Sequence, residues 1–477
     1  MTHGKGFAHV RRRLGTIGAL IHRDQQWSYA ELGARARTRA GELGSQGVIP
    51  GQVILVPDFP VMELAVMQHA LADLDCGLFP VSAPSLEARK EELAAIAGAE
   101  WCWAPHPGNS DHLISMGQGT AVPSACDARA ALVIETSGSS GAPKAVMLTR
   151  QNVLASASLV NGHLELRAGD VWLACLPRTH VGGLLIGYRC ALAGATVLLH
   201  ERFEARAVAY DLVRYGVTHI SLVPAMLADL LSVAVTPPNS LRVVLVGGQA
   251  LGTELARKAA EGGWPLYLTY GMTETCSQVA TSRALSQPPA PGVVGPVLPG
   301  VEVACGSCVD EPRPLRIRGP VVMAGYANPE RRPGDGLEDG WFRTSDLGCL
   351  MATGNLRVLG RADDLLVIGG ESVLPSRVEE QIMSAPGVLS VVVVGRDDPV
   401  WGHRLVAVYV GGVSPASLER WCRGHLTGRD RPREFRRLEQ LPALASGKPD
   451  RRRVRELIGV AAAGLEESSA SAVEEQE

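Results

Sequence analysis

The most constraining feature of the sequence is an alternation of short β-branched runs with segments of helix length. Parallel strands need a crossover of about a dozen residues, usually a helix, whereas antiparallel strands need only a tight turn. The alternation therefore predicts an α/β fold, with a large N-terminal domain of helix-covered, largely parallel sheets. The runs are Leu132–Glu135, Val171–Leu176, Thr196–Leu199, His219–Val223 and Arg242–Val246.

The second half of the chain differs in amino-acid composition and in the length of its apolar runs. From Pro288–Pro299 onward the sequence is rich in Pro, Gly and Val, and short strand-like runs continue to Val358, which predicts a β-rich subdomain. Beyond the boundary near Gly360–Asp364, a helix, two strands and another helix predict a small α+β C-terminal domain. We therefore divide the chain into domains at 1–362 and 363–460, and we expect the polar residues 461–477 to form a disordered tail.

Composition narrows the functional class. The chain has 477 residues, of which 46% are apolar and 20% charged, and its formal net charge is −3. This balance disfavours a nucleic-acid or anionic-membrane partner, and no apolar run approaches the roughly 18 residues of a membrane span, so no membrane insertion is expected.

The ten cysteines form no regular framework, and the CxxC pair Cys305 and Cys308 has no second pair at zinc-site spacing. Arg11–Arg13 and the apolar stretch after them resemble a signal peptide, but charged residues follow at once. We interpret the stretch as a strand and expect a reducing cytoplasm.

The strongest chemical motif is a dense run of hydroxyls and glycines directly after an apolar strand. Backbone N–H groups in such a loop can wrap around phosphate oxygens. Pro143 stands where a Walker A loop needs glycine before its lysine, so this is a different phosphate loop, although a flexible linker would share part of its composition. The predicted phosphate-binding residues are Thr136, Ser137, Gly138, Ser139, Ser140, Gly141 and Lys144.

Three further motifs follow in order. In the segment Tyr270-Gly-Met-Thr-Glu274 an aromatic ring can stack on a base, the Thr273 hydroxyl can bind phosphate, and the Glu274 carboxylate can bind Mg²⁺. Asp346 can accept the ribose hydroxyls, and Arg361 adds a cationic donor. Near the C-terminus, Lys448 follows a Ser-Gly pair. Taken singly, each motif has a plain structural alternative: a helix N-terminus, a turn aspartate or a surface cation.

Together and in this order, the four motifs resemble those of the adenylate-forming superfamily, which includes acyl-CoA synthetases, peptide-synthetase adenylation domains and luciferases. The resemblance spans about residues 25 to 455. It implies an enzyme that uses ATP, Mg²⁺ and CoA, with Thr273, Glu274 and Lys448 catalytic and Glu274 holding the metal. It also implies that Tyr270 packs on adenine, that Asp346 and Arg361 hold the ribose, and that the small domain is mobile about Asp363. Two positions depart from the usual pattern: Ser345 stands where glycine is usual, and the run Asp363-Asp-Leu-Leu-Val lacks the lysine that many members carry just after the hinge. Neither departure removes a reacting group.

The acid-binding segments are most similar to those of the o-succinylbenzoate–CoA ligases of menaquinone synthesis. That similarity implies an acyl pocket lined by His180, Gly247 and Gly248. Polar candidates for a second substrate carboxylate are Arg178, Ser277 and Gln278. As alternatives, His180 closes the pocket wall without contacting substrate, and Arg178 is a surface residue. The glycine pair Gly369 and Gly370 is a candidate for passage of the pantetheine arm of CoA, because glycine lets a ligand approach the backbone.

Other functions remain open at this stage. A ligase for a different aryl or acyl acid, or a stand-alone enzyme that loads a carrier protein, would share these motifs. A nucleotide-binding protein without catalysis is a further alternative, although the presence of Lys448, Glu274 and Asp346 argues against it. Small-molecule substrates are expected, and no sequence feature specifies an oligomeric state.

Overall fold

The computed structural model describes residues 13–104, 112–117, 129–137, 143–233, 235–305, 313–327, 331, 333–426, 428–443 and 449–459. The predicted tail, 461–477, lies outside these ranges. No helix among them is both long and apolar enough to cross a membrane.

The first large sheet has eight strands. Five successive neighbour pairs at its centre are parallel, and the outermost strand at each end pairs antiparallel, so the predicted parallel sheet is confirmed. In spatial order the strands are Ser277–Thr281, Leu266–Met272, Val243–Val246, His219–Leu222, Val171–Ala174, Thr196–Leu199, Gly18–His22 and Gln25–Ser28.

The second sheet has seven strands. Its central strands are parallel, but Pro143–Thr149, the strand after the phosphate loop, runs antiparallel to its neighbour Ala130–Ser137. The spacing of apolar runs in the sequence does not predict this reversal. Its strands, in spatial order, are Gly325–Ala327, Pro143–Thr149, Ala130–Ser137, Gly77–Val81, Val53–Pro57, Trp101–Ala104 and His112–Ser115.

Helices lie between the two sheets and on their outer faces. One apolar core contains residues from both sheets, so the four helices that also contribute to it are sandwiched between them: Tyr29–Ser45, Val61–Leu74, Arg150–Leu164 and Val181–Ala193. The first of these has Ser28 as its N-cap, which forms a capping box with Glu31. The outer faces are covered by Ala83–Ala97 on the second sheet and by Ala205–Arg214, Pro224–Ser232 and Thr253–Glu261 on the first.

The predicted β-rich subdomain is a mainly antiparallel sheet. Its strands are Val293–Pro296, Asn355–Arg361, Trp341–Leu350, Arg313–Arg318 and Glu302–Ala304, with Leu337–Glu338 paired to the third of these. One strand from this part of the chain, Gly325–Ala327, leaves it and completes the edge of the second sheet beside Pro143–Thr149.

Residues 366–459 have apolar cores of their own. A hairpin of Leu366–Ile368 and Glu371–Val373 precedes a three-stranded sheet of Val388–Asp398, Gly402–Gly411 and Glu434–Arg437. The helices are Pro375–Ile382, Pro415–His425 and 451–459, so the predicted elements are present with slightly different ends. Short 3₁₀ turns occur at Thr273–Thr275, Ala362–Asp364 and Gly428–Asp430.

Candidate active site

The predicted phosphate loop is the turn of a β-hairpin. Ala130–Ser137 pairs antiparallel with Pro143–Thr149, and the register places Thr136 opposite Lys144. Gly138, Ser139, Ser140 and Gly141 lie outside the described residues, and the register places the residues on either side of them, Ser137 and Pro143, opposite each other. The Thr136 hydroxyl donates to the Lys144 carbonyl over 3.4 Å. Outside the hairpin, Arg89 donates to Glu135 over 2.9 Å and ties the loop strand to a covering helix.

A second hairpin carries the Tyr270–Glu274 motif. Strand Leu266–Met272 turns through Thr273–Thr275 and returns as Ser277–Thr281. Only glycine fits at position 271, because an added Cβ would lie 1.6 Å from the Ser277 carbonyl oxygen. The turn is fixed from outside by the Met323 N–H, which donates to the Glu274 carbonyl over 2.8 Å. This tight turn places Thr273 and Glu274 at the carboxyl end of the strand next to the sheet edge.

Tyr270, Asp346 and Arg361 come together, as the proposed nucleotide site requires. The Tyr270 hydroxyl donates to Asp346 Oδ2 over 2.7 Å, and Arg361 Nη1 lies 3.8 Å from Asp346 Oδ1. Asp346 and Arg361 are direct partners on neighbouring antiparallel strands. Burial and then the nearby Asp346 charge raise the pKa of Tyr270, so the phenol stays a neutral donor. These contacts hold the Asp346 carboxylate in one orientation.

Glu274 fits a magnesium ion as a single protein carboxylate. Mg²⁺ is commonly held by one or two carboxylates, with substrate phosphates and waters completing its octahedron. Glu274 is half-buried, and its Oε1 accepts a hydrogen bond of 3.0 Å from Tyr326. Among the residues that the structure describes, no three His, Cys, Asp or Glu side chains cluster as a metal cage. The donor set therefore suits a metal that arrives with phosphate oxygens.

The proposed hinge residue lies immediately beside this site. Asp363 is the middle residue of the 3₁₀ turn Ala362–Asp364, and it accepts a 2.7 Å hydrogen bond from Arg361. On the far side of the turn, Asp364 lies 3.6 Å from Arg451 and 3.7 Å from Arg455. The turn thus joins a nucleotide-site strand to the small domain.

Lys448 lies outside the described residues, but both ends of its loop are placed. Ala443 and Pro449 form an isolated antiparallel bridge, and the Asp450 N–H donates to the Pro442 carbonyl over 2.8 Å. Asp450 then accepts from the Arg453 N–H over 2.9 Å near the start of helix 451–459. The residues on either side of 444–448 therefore lie close together near a helix N-terminus of the small domain.

Several predicted acid-site residues lie at the carboxyl ends of the first sheet. His180 is the N-cap residue of helix Val181–Ala193. Gly247 follows strand Val243–Val246, and an added Cβ there would lie 2.7 Å from the Thr269 side chain. Gly248 and Ser277 adopt left-handed backbone angles, with φ of 81° and 88°. In open parallel sheets, ligands bind in the crevice outside the carboxyl ends of the strands.

Two of the polar acid-site candidates have other contacts. Gln278 is buried, and its Oε1 accepts a 2.7 Å hydrogen bond from Thr281. Arg178 is only 8% exposed, so the alternative that it is a surface residue is wrong. It donates to the His200 carbonyl over 3.0 Å and lines an internal cavity of about 20 Å³ with Tyr29 and Gln68. Neither His180 nor Ser277 lines that cavity.

The glycine pair proposed for CoA lies at the turn of the hairpin Leu366–Ile368 and Glu371–Val373. Gly369 and Gly370 have φ values of 59° and 83°. The Gly369 N–H donates to the Trp401 carbonyl over 2.9 Å, and an added Cβ would lie 2.8 Å from the Trp401 ring. Packing inside the small domain is therefore sufficient to require glycine at position 369.

Comparison with known proteins agrees with this geometry. The model of the AMP-binding enzyme family matches residues 105–327, and that of the AMP-binding enzyme C-terminal domain matches residues 377–448. A 2-succinylbenzoate–CoA ligase of Bacillus mycoides is 38% identical over 335 residues, which are 68% of this chain and 70% of the relative. The chain belongs to the AMP-binding enzyme family. The resemblance to the adenylate-forming superfamily is thereby confirmed.

Two further relatives of this AMP-binding enzyme extend the match over most of the chain. A 2-succinylbenzoate–CoA ligase of Bacillus licheniformis is 31% identical over 453 residues, 90% of this chain and 95% of the relative. The o-succinylbenzoate CoA synthetase of Bacillus subtilis, solved with the acyl-adenylate intermediate OSB-AMP, superposes with a TM-score of 0.82 at 29% identity. That match covers 95% of this chain and 98% of the other. The same synthetase has also been solved with ATP and a magnesium ion.

Tyr326 of this AMP-binding enzyme was missed from the sequence. Its hydroxyl donates to Glu274, and the Lys144 ammonium lies 4.7 Å from the centre of its ring. Burial and then the Glu274 charge raise the pKa of Tyr326, which keeps the phenol protonated. The only nearby residue in the sequence that could have drawn attention to Tyr326 is the preceding Gly325. The structure gives this glycine a φ of 146°, a backbone angle that other residues rarely adopt.

Arg189 was also missed, because it lies within an apolar helix. It is 1% exposed, and its Nε and Nη2 have no hydrogen-bond partner among the described residues. The guanidinium lies 5.6 Å from the Trp172 ring centre, and the described residues include no Asp or Glu within salt-bridge distance of it. Burial lowers the pKa of Arg189 to about 10, so the side chain remains charged at neutral pH. Burial of an uncompensated cation is costly and points to an anionic ligand.

Proposed function

We propose that this enzyme adenylates 2-succinylbenzoate with ATP and transfers the acyl group to CoA, the ligation step of menaquinone biosynthesis. The observation that carries the proposal is the meeting of Tyr270, Asp346 and Arg361 beside the phosphate-loop hairpin and Glu274. These groups come from four separate parts of the chain. Together they provide binding positions for an adenosine, a triphosphate and a metal ion. The ligases named above, at 31% and 38% identity, support this substrate and reaction.

In the first step the substrate carboxylate attacks the α-phosphorus of ATP, and pyrophosphate leaves. Asp346 accepts the ribose hydroxyls, Tyr270 packs on the base, and the hairpin loop with Lys144 surrounds the phosphates. Thr273, in the turn before Cys276, contacts the α-phosphate. Mg²⁺, when held by Glu274, neutralises phosphate charge so that two anions can approach. Catalysis of this kind rests on positioning and electrostatics, and no covalent enzyme intermediate is needed.

In the second step the CoA thiol attacks the carbonyl of the acyl-AMP, and AMP leaves. We assign residues 1–362 to a domain that binds ATP and the acid, and residues 363–460 to a mobile domain that carries Lys448. Lys448 neutralises charge at the α-phosphate in the first step. Rotation at Asp363 then removes its loop, so that the thiol reaches the same carbon past Gly369 and Gly370.

Arg189 deepens the assignment of the acid. 2-Succinylbenzoate is a dicarboxylate, so one carboxylate remains free while the other reacts. Arg189 lies close enough to Cys276 that its charge lowers the pKa of that thiol, although burial raises the thiol pKa to about 12 overall. Cys276 belongs to the acid-binding segment Tyr270–Val279, between Glu274 and Ser277. We place the free carboxylate on the side of the pocket facing Arg189, with His180 and the Gly247–Gly248 turn lining its opposite wall.

The cytoplasm is the proposed compartment. The eight described cysteines are all free thiols, as expected in a reducing environment. The sulfur of Cys305 accepts a hydrogen bond of 3.1 Å from the Leu350 N–H, while Cys308 lies outside the described residues.

An acid screen tests the proposed function. Purified enzyme is supplied with MgATP and a panel of acids that includes 2-succinylbenzoate, benzoate and a medium-chain fatty acid, and pyrophosphate release is measured. Thioester formation is then measured with CoA and with a carrier protein. We expect 2-succinylbenzoate to give the highest kcat/KM and CoA to be the acceptor. A higher kcat/KM for either monocarboxylate, or acylation of the carrier protein alone, would overturn the assignment.

A further inference from the structure

Tyr326 lies at the junction of two parts of the site that come from distant segments. Its strand, Gly325–Ala327, pairs antiparallel with the strand that follows the phosphate loop, and Tyr326 is directly opposite Val146. Lys144 is two residues from Val146 on that strand. Its side chain therefore lies on the same face of the sheet as that of Tyr326. Glu274 reaches the same place from the turn after strand Leu266–Met272.

The two contacts of Tyr326 have opposite charge. Its hydroxyl donates to Glu274 Oε1 over 3.0 Å, and the Lys144 ammonium lies 4.7 Å from the centre of its ring. The described salt bridges include none between Lys144 and Glu274, although one ring links the two residues. The tyrosine thus separates a carboxylate and an ammonium group that would otherwise attract each other across the phosphate site.

We propose that Tyr326 is a positioning residue that keeps Glu274 and Lys144 apart and correctly oriented until Mg²⁺ and ATP bind. This inference rests on the proposed function, because it assigns Glu274 to the metal and Lys144 to the phosphates. A direct Lys144–Glu274 ion pair would occupy the metal position and withdraw the cation from the phosphate loop. Both groups would then have to separate before the nucleotide could bind.

The nature of the two contacts suits this role. The cation–π contact holds an exposed ammonium weakly, so triphosphate oxygens replace it readily. Among the described hydrogen bonds, the phenol contacts only Oε1 of Glu274, which leaves Oε2 available to a metal. The phenol is neutral, so it orients the carboxylate without placing a positive charge where Mg²⁺ would bind.

The ring itself is supported from behind. The Tyr326 N–H donates to the Asp335 carbonyl over 2.9 Å. Gly336, with φ of 80°, lies so close that an added Cβ would be 2.6 Å from the ring. The tyrosine is therefore held between this loop and the phosphate-loop strand, which fixes the direction of its hydroxyl.

Two substitutions separate the roles of the hydroxyl and the ring. Tyr326→Phe removes the bond to Glu274 and keeps the ring beneath Lys144, whereas Tyr326→Leu removes both. Tyr210 provides the matched control, because it is exposed and has Arg214 5.8 Å from its ring centre. Tyr210→Phe and Tyr210→Leu therefore make the same chemical changes far from the proposed site.

The experiment measures ATP binding by calorimetry at several Mg²⁺ concentrations, together with the two half-reactions. We expect Tyr326→Phe to raise the Kd for MgATP about threefold to tenfold while the Kd for Mg²⁺-free ATP changes less than twofold. Tyr326→Leu should raise the MgATP Kd at least tenfold. In a Lys144→Met background, the difference between the Leu and Phe variants should disappear. CoA transfer from supplied acyl-AMP should fall less than acyl-AMP formation in the Tyr326 variants, and neither step should change more than twofold in the Tyr210 variants.

Two results would overturn the inference. One is an unchanged Mg²⁺ dependence of ATP binding in Tyr326→Phe. The other is an equal loss in both half-reactions with a lowered Tm, which would mark Tyr326 as structural. If Tyr326→Leu does not fold, the Phe variant with and without Lys144→Met still tests the contact to Glu274. Failure of the wild-type acid screen would refute the proposed substrate, whereas the binding measurements need no acid and test Tyr326 separately.

Discussion

Arg361 donates a 2.7 Å hydrogen bond to Asp363 while its Nη1 lies 3.8 Å from Asp346. One guanidinium therefore contacts both the proposed hinge residue and the proposed ribose carboxylate. If the small domain turns at Asp363 as proposed, the Arg361–Asp363 contact breaks beside the proposed ribose carboxylate. The proposed hinge and the proposed ribose site would then be coupled through this one side chain.

Asp363→Pro should therefore separate the two half-reactions. Proline fixes φ near −65° and disfavours the helical region for the preceding Ala362, which lies in the 3₁₀ turn. We expect acyl-AMP formation to stay within about tenfold and thioester formation from supplied acyl-AMP to slow by at least ~10²-fold. Asp363→Ala, which removes the Arg361 contact without fixing the backbone, is the control. Parallel losses in both steps with a lowered Tm would identify Asp363 as a structural cap.

Lys448→Ala should abolish the first step and spare the second. The cation is needed where charge develops at the α-phosphate, and loss of one such group costs about 10²–10³-fold in rate. Pyrophosphate release and acyl transfer from supplied acyl-AMP are measured separately. Arg452→Ala is the matched control, since it removes an 87% exposed cation from the helix that follows. Equal losses in the two steps would contradict a role confined to adenylation.

Arg189→Met should weaken discrimination between dicarboxylic and monocarboxylic acids. Methionine can still pack on Trp172 but offers no charge to a second carboxylate. We expect KM for 2-succinylbenzoate to rise about tenfold to a hundredfold with KM for ATP unchanged, because a buried charged hydrogen bond contributes about 1.5–3 kcal/mol. Stability should be unchanged or higher, since an unpaired buried cation is removed. A fall in Tm with unchanged KM would show that Arg189 serves packing alone.

His219 should make the protein less stable in mild acid. It is fully buried against Trp172, and burial lowers its pKa from 6.5 to about 4. Between these pH values the unfolded chain binds a proton that the folded chain does not, so stability present above pH 6.5 is lost as the pH falls to 4. The loss is about 3 kcal/mol. Tm measured from pH 7.5 to 4.5 should fall less steeply for His219→Gln, and an identical slope would refute the assignment. His403→Gln, a partly exposed histidine, is the control.

The parts of the molecule that were predictable from sequence are those with local signals. Parallel strands can be predicted because their apolar runs are separated by segments long enough for a crossover helix. The capping box of Ser28 and Glu31 lies within four consecutive residues. The Tyr270–Glu274 and Asp346 motifs are short enough to be read directly. The roles of these residues are inferred from the family resemblance. The contacts of Tyr270 and Arg361 with the Asp346 carboxylate, in contrast, are visible only in the folded structure.

The parts that sequence did not reveal depend on contacts between distant segments. Nothing near Tyr326 indicates that its strand pairs with the phosphate-loop strand, and nothing near Arg189 shows that a cation in an apolar helix lacks a counter-ion. Arg178 was a candidate for the acid site with a surface position as the alternative, and tertiary packing, which rules out that alternative, is not visible in the sequence. Gly369 fits a ligand-binding turn by sequence, although the Trp401 ring already requires glycine there.

The pairing of Gly325–Ala327 with Pro143–Thr149 also has a consequence for synthesis on the ribosome. At 5–20 residues per second, the nascent chain waits on the order of ten seconds or more between translating these two strands. Throughout that interval the Pro143–Thr149 edge lacks its partner, and an unpaired strand edge is a template for pairing with other chains. A translation product that ends before residue 325 keeps this edge open permanently, so truncated products of this gene should aggregate unless chaperones bind them.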